Sequence, residues 1–325
     1  MKCIMAPLRG ITTHTFRKIY RHYFHGIDAA MSPFIAPGTD RKIRRSVFAD
    51  ILRENNCDAY PLTPQILANT PEAFPVFIKE ICREGYTELN WNLGCPFPTV
   101  TKKKKGSGLI THPEIIEPVL HFLSQQDISY TVKTRTGWSS PGETKDLLPL
   151  FEKYGCRELI IHGRTGTQMY SGHARRDVVH DLAKNTSIPV VYNGDIFSPK
   201  QAENIGAATP PPVGIMIGRG LLTNPFLPAQ ITGACLPPDA QEQLHAFLSH
   251  LCTAYEELLY GPRPVLGRMK EIWTYLQWSF PHGRSGIKKI LKSQDIQSYR
   301  MRVDALFSAY TFTPPDETFD PAWLG

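Results

Sequence analysis

The sequence has no long hydrophobic stretch. No apolar run in its 325 residues approaches the roughly 18 residues that a membrane-spanning helix needs, and the N-terminus lacks the apolar segment of a signal peptide. These absences argue against a membrane protein and a secreted one, so we expect a cytoplasmic protein. A hydrophobic content of 42% is enough for a sizeable core, which we expect to be divided between one large domain and a small one.

Paired cysteine motifs are also missing. The seven cysteines are odd in number and none forms a Cys-x-x-Cys pair, which argues against a disulfide framework and against a zinc site. We therefore expect no metal ion. Cys82, Cys156 and Cys252 are expected to be small core residues. Cys95 differs from them, because a glycine precedes it and a proline follows it.

Charge of one sign does not dominate the chain. The net charge is +6, which is modest for this length, so the position of the basic residues is more informative than their number. They form three clusters, at residues 41–45, at Lys102–Lys105 and within residues 261–302, where nine Lys or Arg stand against two acidic residues. One such cluster is usually a solvated surface, but three together favour a polyanionic partner.

Eight short apolar runs are separated for the most part by stretches long enough for a helix and a turn. They are Ile4–Pro7, Ile27–Met31, Tyr60–Leu62, Glu88–Leu93, Tyr130–Val132, Leu159–Ile161, Val190–Tyr192 and Gly214–Ile217. Short continuous apolar runs are typical of strands buried on both faces, and their alternation with helices implies parallel pairing. This pattern over residues 1–235 predicts a (β/α)8 TIM barrel, an α/β fold whose catalytic groups collect at the carboxyl ends of the strands. A doubly wound open sheet is the alternative, although no G-x-G-x-x-G follows the first strand.

The pattern changes after Leu236-Pro237-Pro238, which resembles a linker. Residues 241–310 contain apolar residues at helical spacing and no strand pattern, which predicts a small all-helical C-terminal domain. The apolar stripe of its first helix consists of Leu244, Phe247, Leu248, Leu251, Tyr255 and Leu258. Residues 311–325 are rich in proline and acidic residues and are expected to form an irregular tail.

The segment Glu88–Pro96 is the most informative part of the chain. An apolar strand runs directly into a polar, glycine-broken turn that carries Cys95. A barrel enzyme presents a reactive thiol at the mouth of its pocket in this way.

Other strand-like runs also stop at polar residues, and six segments appear in a telling order. They are Met5–Leu8, Asn92–Pro96, Val132–Trp138, His162–Thr165, Asn193–Asp195 and Ile217–Gly220. Together they resemble the tRNA-dihydrouridine synthase family over nearly the whole chain. The resemblance implies a barrel that binds FMN, takes electrons from NADPH and uses its helical domain to help hold tRNA. Arg9 departs from the family pattern, in which an acidic or small residue is usual.

The reaction implied by the resemblance is the reduction of the C5–C6 double bond of a uridine in tRNA. A hydride passes from FMN to C6, and a proton must reach C5 from the other side. Cys95 is the expected proton donor, because a thiol with an ordinary pKa of about 8.5 stays mostly protonated at neutral pH. The alternative is a nucleophilic Cys95 whose pKa is lowered by Lys133 or His162.

The resemblance also implies which residues hold FMN. Lys133 is expected at the N1 and O2 side of the flavin, with His162 nearby and Gln65 at the pyrimidine edge. Pro7, Leu8 and Arg9 would line one wall. The phosphate is expected at the ends of the seventh and eighth strands, where barrels commonly bind phosphate through loop amides: Asn193, Gly194, Asp195, Gly218 and Arg219.

The RNA contacts are expected from polar and basic side chains. A flipped uracil needs hydrogen-bond partners, for which Asn92, Arg135 and Arg164 are the candidates. Lys102 and Lys103 belong to residues 97–109, a basic flap that could close over RNA and bring Cys95 into place. On the helical domain, phosphate contacts are expected from Arg268 and Lys270.

Three alternatives stay open at this level. A different FMN barrel, similar to dihydroorotate dehydrogenase, would share the fold and reduce or oxidise a free small molecule, but such an enzyme needs no basic helical domain. A dihydrouridine synthase that acts on ribosomal RNA is a second possibility, and an RNA-binding module without catalysis is a third. We expect a monomer. The identity of the reduced uridine does not follow from the sequence.

Overall fold

Parallel strands form a barrel at the centre of the molecule. The computed structural model describes residues 1–37, 44–56 and 60–324. Within these ranges the strands are β1 Lys2–Met5, β2 Ala29–Met31, β3 Leu62–Thr63, β4 Gln65–Ile66, β5 Glu88–Leu93, β6 Ser129–Arg135, β7 Leu159–His162, β8 Val190–Asn193 and β9 Gly214–Ile217. Their order is β3-β2-β1-β9-β8-β7-β6-β5-β4, and all pairs are parallel. The predicted TIM barrel is thereby confirmed, and the open-sheet alternative is ruled out.

The third strand of the barrel consists of two short segments, β3 and β4, on either side of Pro64. The two ends of the sheet meet at this residue, which closes the barrel. β3 pairs with β2, β4 pairs with β5, and only Pro64 separates the two segments. A proline has no N–H to donate to a neighbouring strand, so the ladder is interrupted there. Its carbonyl oxygen still accepts a bond of 2.8 Å from the backbone N–H of Asn90. The nine segments therefore act as the eight strands that the sequence predicts.

Helices surround the barrel and form the C-terminal region. In chain order they are α1 His14–Tyr23, α2 Arg53–Asn56, α3 Phe74–Arg83, α4 Pro98–Thr101, α5 Pro113–Ser124, α6 Leu148–Lys153, α7 Arg176–Lys184, α8 Pro199–Gly206, α9 Arg219–Thr223, α10 Leu227–Ile231, α11 Ala240–Leu258, α12 Pro262–Leu276, α13 Arg284–Leu291 and α14 Ile296–Ala309. α3 buries Phe74, Phe77 and Ile81 but leaves Cys82 exposed, so the expectation of a core position for Cys82 was wrong. Cys82 lies about 100° around the helix from Ile81, which turns it away from the barrel.

Side-chain alternation along the strands decides what lies inside the barrel. Ile4, Ile160, Val191 and Met216 belong to a small apolar cluster separate from the main core, whereas the next residue on β7, Ile161, belongs to the main core between strands and helices. Because successive side chains on a strand point to opposite faces, residues two positions further along share the inner face. On β6, β7 and β8 those residues are Lys133, His162 and Asn193, at the carboxyl ends of the strands.

The C-terminal helices pack on the barrel through an aromatic cluster. The ring of Phe247 on α11 lies 5.8 Å from Phe16, 6.3 Å from Tyr20 and 4.9 Å from Phe24. The buried residues of α11 and α12 belong to the same core cluster as those between the barrel strands and their helices. Leu258, which the sequence analysis counted in the apolar stripe, is instead 54% exposed at the end of α11.

The tail returns from the helical region to the barrel. Phe312 is buried against Phe226 and Phe280, at ring distances of 5.7 and 5.9 Å. Further on, Phe319 is buried against Phe197, with 5.1 Å between ring centres. The backbone of the tail is therefore mostly irregular, and two aromatic side chains anchor it.

Two features are missing from the part of the chain that the structure describes. None of its helices is long and apolar enough to cross a membrane. Within the same residues no group of three or more His, Cys, Asp or Glu side chains is arranged to hold a metal ion.

Candidate active site

A cavity of about 310 Å³ opens at the carboxyl ends of the barrel strands. It is lined by residues that follow β1, β5, β6, β7, β8 and β9, together with two side chains from α12. Of the residues predicted from the sequence, the lining contains Cys95, Pro7, Leu8, Arg9, Asn92, Lys133, Arg135, His162, Asn193, Gly194, Asp195, Gly218 and Arg219. A TIM barrel brings together loops that are distant in sequence at this face.

Cys95 lies in a tightly hydrogen-bonded turn. The side-chain oxygen of Asn92 accepts the backbone N–H groups of Gly94 at 3.0 Å and of Cys95 at 2.9 Å. The carbonyl oxygen of Cys95 accepts the hydroxyl of Ser107 at 3.1 Å and its backbone N–H at 3.0 Å. Burial raises the pKa of the Cys95 thiol, although the backbone N–H of Phe97 and nearby cations act in the opposite direction. A protonated thiol is therefore favoured at neutral pH.

Ser107 ties the predicted flap to the cysteine turn. Residues 97–109 form the short helix α4 and a 3-10 turn at Gly106–Leu109. Gly106 has a φ of +59°, and a Cβ on it would lie 2.5 Å from the carbonyl oxygen of Cys95. Only glycine fits such a close approach with this backbone conformation. The flap and Cys95 are therefore positioned together.

Lys133 and His162 lie side by side in the cavity, on neighbouring strands. The ammonium of Lys133 donates to the side-chain oxygen of Asn193 at 3.0 Å. Burial, and then the charge of Arg135, lowers the pKa of Lys133 to about 7. Burial and the same surrounding cations hold the pKa of His162 well below its ordinary value. The free protein therefore presents a neutral imidazole beside a lysine whose charge responds to any anion that binds nearby.

A buried cluster of ionised side chains lies behind the cavity wall at β8 and β9. Asp195 accepts Arg164 at 2.7 Å and Arg219 at 3.0 Å on one oxygen, and the backbone N–H of Ala174 at 2.7 Å on the other. The rings and guanidinium groups are stacked as well, since Arg219 lies 5.1 Å and Arg135 5.4 Å from the centre of the Tyr170 ring. Arg219 belongs to both groups, because it shares the Tyr170 ring with Arg135 and the Asp195 carboxylate with Arg164. These contacts fix the geometry of this wall.

The same wall has the features of an anion site. The Nη1 atom of Arg219 is buried and has no hydrogen-bond partner among the residues described. Buried donors of this kind normally have a partner, so this one indicates a ligand atom. Gly194 has a φ of +125°, and a Cβ on Gly220 would lie 1.8 Å from the carbonyl oxygen of Ile196. The backbone therefore packs closely here, as phosphate-binding loops do.

Some predicted residues lie elsewhere. Gln65 is fully buried beneath the cavity floor, where its amide N–H groups are donated to Asn90 at 2.8 Å and to the sulfur of Met31 at 3.0 Å. Arg164 is also fully buried, and its guanidinium donates to the carbonyl oxygens of Ser171 and Gly172 besides Asp195. Neither side chain belongs to the lining of the cavity. The sequence predicted that these two side chains follow strands, but their hydrogen-bond partners come from distant parts of the chain.

The predicted basic residues occupy three different environments. Lys102 and Lys103 are exposed on the flap. Arg268 donates to the carbonyl oxygen of Gly10 in the barrel, and Lys270 donates to that of Ser293 at 2.5 Å. Both side chains of α12 therefore join parts of the protein to each other. In the first basic cluster, residues 41–43 lie outside the described residues.

The cavity also contains residues that the sequence analysis missed. They are Phe34, Phe97, Tyr170, Glu271 and Tyr275 among others. Tyr170 belongs to an irregular loop, in which no periodicity indicates side-chain direction. Glu271 and Tyr275 come from α12, so their place depends on how the helical region docks. Burial raises the pKa of Glu271, while the charge of Arg268 opposes this effect.

The fold and the site together define a class of protein. A parallel barrel whose strand ends carry a thiol, a lysine and an arginine with one buried N–H group free for a ligand is an enzyme whose cavity suits an anionic cofactor or substrate. The family model described as "Dihydrouridine synthase (Dus)" matches residues 4–281. The chain therefore belongs to the dihydrouridine synthase family.

Relatives of known name support this membership. A tRNA-dihydrouridine synthase B of Pseudomonas putida is 28% identical over 316 residues, which cover 94% of this chain and 91% of that protein. A tRNA-dihydrouridine synthase B of Shewanella oneidensis is 31% identical over 271 residues, covering 79% and 80%. Among solved structures, histamine dehydrogenase from Rhizobium sp. 4-9 superposes with a TM-score of 0.52 at 11% identity, covering 78% of this chain and 48% of that one. The last similarity concerns the fold alone.

Proposed function

We propose that this protein is a tRNA-dihydrouridine synthase, a flavin-dependent oxidoreductase that reduces the C5–C6 double bond of specific uridines in tRNA. The observation that carries this proposal is the convergence of the family match over residues 4–281 with a single cavity that contains Cys95, Lys133 and Arg219. The relatives whose names include tRNA as substrate align along most of this chain.

FMN fits the residues of the cavity. The free Nη1 of Arg219 and the close-packed backbone at Gly194 and Gly220 suit one phosphate group. Pro7 and Leu8 offer an apolar wall for a flat ring. A bound reduced flavin would supply a hydride to C6 of the uracil, with NADPH as the source of electrons.

Lys133 has the properties needed beside a ring that becomes negative on reduction. Because its pKa is about 7 in the free protein, a negative charge nearby would raise that pKa and keep the ammonium protonated. The hydrogen bond to Asn193 aims the ammonium, so little reorganisation is required when charge develops. Lys133 is therefore the residue that stabilises the reduced cofactor.

Cys95 donates the proton to C5. Its thiol is buried and its pKa is raised, so it carries a proton at neutral pH and can release it to carbon only when the ring is positioned against it. The nucleophile alternative required a lowered pKa at Cys95, which is opposite to the direction that burial imposes. The flap, joined to Cys95 through Ser107, would exclude water while the proton moves.

Two donors at the cavity surface match the carbonyl oxygens of a uracil. The amide of Asn92 uses one N–H on Gln65, which leaves the other N–H without a partner among the described residues. In Arg135, Nε and Nη1 donate to backbone carbonyls, and Nη2 makes no hydrogen bond within the same residues. Asn92 and Arg135 would therefore orient the base. Arg164, by contrast, would act only by holding Asp195 in place.

The helical region would hold the body of the tRNA. Residues 241–310 are proposed as the RNA-binding part, because exposed Lys288, Lys289 and Lys292 lie on or next to α13. Lys102 and Lys103 on the flap would add phosphate contacts near the reacting base. Arg268 and Lys270 would contribute mainly by fixing α12, since their donors are used within the protein. The monomer expected from the sequence stays a prediction.

The test is the dihydrouridine content of tRNA, mapped by position, in cells that lack this gene. We expect loss at defined positions, restoration by the wild type and little restoration by Cys95→Ala, because C5 then lacks its proton donor. The control is Cys82→Ala, which removes an exposed thiol on α3 and should restore dihydrouridine fully. Unchanged dihydrouridine at every tRNA position, with no redundant enzyme present, would contradict the tRNA assignment. Loss confined to ribosomal RNA would identify that RNA as the substrate instead.

A further inference from the structure

A chain of side-chain hydrogen bonds runs from the Cys95 turn down into the barrel. The amide of Asn92 donates to the side-chain oxygen of Gln65 at 2.9 Å, and the amide of Gln65 donates to that of Asn90 at 2.8 Å. Asn90 in turn donates to the hydroxyl of Thr131 at 2.9 Å, and this hydroxyl donates to a backbone carbonyl oxygen at 3.4 Å. All four side chains are at most 6% exposed.

The direction of this chain is fixed at both ends. At the top, the oxygen of Asn92 accepts the backbone N–H groups of Gly94 and Cys95, so its nitrogen must face Gln65. At the bottom, Thr131 reaches the carbonyl oxygen of Leu89, which can only accept. Each amide between these ends has one orientation in which every link of the chain joins a donor to an acceptor. Reversal of any one of them would set N–H against N–H or oxygen against oxygen.

We infer that Asn90 and Thr131 are positioning residues for Cys95, acting through Gln65 and Asn92. This inference rests on the proposed role of Cys95 as proton donor and extends it to residues that do not line the cavity. It also gives Gln65 a role that agrees with its place beneath the cavity floor. If Asn90 offers no acceptor, Gln65 can rotate, Asn92 loses its orientation and the turn at Gly94 and Cys95 loses the oxygen that holds it.

The physical basis is the cost of unsatisfied polar groups in a dry interior. A buried donor without a partner is unfavourable, so a partly satisfied chain rearranges toward any available acceptor. At the upper end of the chain, the oxygen of Asn92 holds the backbone N–H of Cys95. The loss of a hydrogen-bonding group at Asn90 or Thr131 therefore changes the position of Cys95, whose proton must be placed accurately for transfer.

The test compares Asn90→Leu with Asn90→Asp. Leucine removes the acceptor for Gln65, whereas aspartate keeps it. For Asn90→Leu we expect a fall in kcat for tRNA reduction of about tenfold or more, with KM for tRNA within about twofold of the wild type. Asn90→Asp should stay within about threefold of the wild type in kcat, because the upper part of the chain is retained.

A second measurement follows the reactivity of Cys95 and needs neither RNA nor flavin. Alkylation of Cys95 by iodoacetamide is followed against pH by mass spectrometry, with exposed Cys82 as the standard in the same samples. In Asn90→Leu the midpoint for Cys95 should move upward, since the backbone N–H of Phe97 no longer supports the thiolate as well. An unchanged midpoint or an unchanged kcat in folded Asn90→Leu overturns the inference. Both quantities are therefore taken for the folded protein, with kcat divided by the folded concentration from unfolding curves, because a general loss of stability alone changes the folded fraction and not the properties of the folded state.

A second pair of variants covers the case in which Asn90→Leu does not fold. Thr131→Val keeps the shape and removes the hydroxyl, and Thr131→Ser restores the hydroxyl. Unlike aspartate at position 90, valine at position 131 leaves the amide N–H of Asn90 buried without an acceptor, so that Asn90 can rotate and withdraw its oxygen from Gln65. We therefore expect the valine variant to show a fall in kcat and an upward shift of the midpoint, as in Asn90→Leu, and the serine variant to reverse both. Valine and serine variants that behave alike overturn the inference. If the wild type makes no dihydrouridine, the proposed function fails, and the alkylation midpoint alone decides this inference.

Discussion

At the scale of single residues, the cavity is dominated by cations that have been taken out of water. Burial, and then the charge of Arg135, lowers the pKa of Lys133 to about 7. The pKa of its neighbour His162 is also lowered, so both groups are held toward their neutral forms in the free protein. A site of this kind is strained without its anionic partner, and the strain is a free energy that binding can release.

The stability of the flavin-free protein should depend on pH through Lys133. The unfolded chain binds more protons than the folded one between the folded pKa of about 7 and the higher unfolded value, so stability rises with pH across that window. Below about pH 7 the full cost of burying the ammonium is present. We expect Lys133→Met to be more stable than the wild type there, by up to about 4 kcal/mol, with the difference shrinking as pH rises.

Urea unfolding of both proteins at about pH 6 and about pH 9.5 measures this difference, since all other titrating groups cancel between them. At the higher pH, where the lysine of the wild type is largely neutral, the lost hydrogen bond to Asn193 should leave the variant slightly less stable than the wild type. Lys79→Met serves as the control, because Lys79 is exposed on α3. A difference for Lys133→Met that does not vary with pH would show that the lysine is not held toward neutrality.

At the scale of elements, α9 is held against the loop after β8 by a glycine contact. A Cβ on Gly220 would lie 1.8 Å from the carbonyl oxygen of Ile196 and 3.2 Å from the side chain of Leu227. Backbone atoms cannot move aside as a flexible side chain does, so Gly220→Ala must displace α9 and with it Arg219. We expect a loss of about 3 kcal/mol in stability and a loss of bound flavin.

Gly267→Ala is the matched control for Gly220→Ala. Gly267 lies in α12 with nothing within 4 Å of its added Cβ. Alanine favours a helix over glycine by up to about 1 kcal/mol, so this variant should be equal to the wild type or more stable. Thermal unfolding measures the stability of the purified proteins, and their flavin absorbance measures the amount of bound flavin. Equal stability of the two variants would mean that α9 can shift without cost.

The sequence predicted elements and strand ends better than it predicted side-chain partners. Short apolar runs ending in polar residues located the barrel strands and thereby Cys95, Lys133 and His162, because strand periodicity directs alternate side chains inward. Gln65 and Arg164 follow strands just as clearly, yet they are used inside the protein. Their partners stand 25 and 31 residues away, in other strands and loops, and no local pattern encodes such pairs.

At the scale of the whole molecule, the helical region contributes to the cavity, besides the RNA binding that we propose for it. Glu271 and Tyr275 of α12 line the cavity, and Arg268 of the same helix reaches the carbonyl oxygen of Gly10 after β1. The sequence indicated a separate domain joined by a linker, because composition changes at residues 236–238. Shared burial between α11 and α1 was not predictable, since it depends on two apolar faces that lie more than 200 residues apart.

Phe319 in the tail connects the barrel to the helical region. It is 8% exposed, and its ring lies 5.1 Å from Phe197, which lines the cavity, and 5.8 Å from Trp278, which follows α12. Phe319→Ala should therefore cost about 3 kcal/mol and loosen α12 over the cavity. Tyr260→Ala removes an aromatic ring that is fully exposed and should cost much less.

Hydrogen exchange shows whether Phe319 stabilises only the tail or also connects the barrel to the helical region. Because Phe197 and Trp278 lie in different parts of the chain, a connection between them predicts faster exchange in both segments in Phe319→Ala, with that of β5 and β6 unchanged. Tyr260→Ala is compared under the same conditions and should leave both segments as in the wild type. Faster exchange limited to residues 311–324 would mean that the tail stabilises only itself. Faster exchange beside the cavity and at the end of α12 together would mean that the tail holds the helical region in the position from which Glu271 and Tyr275 reach the active site.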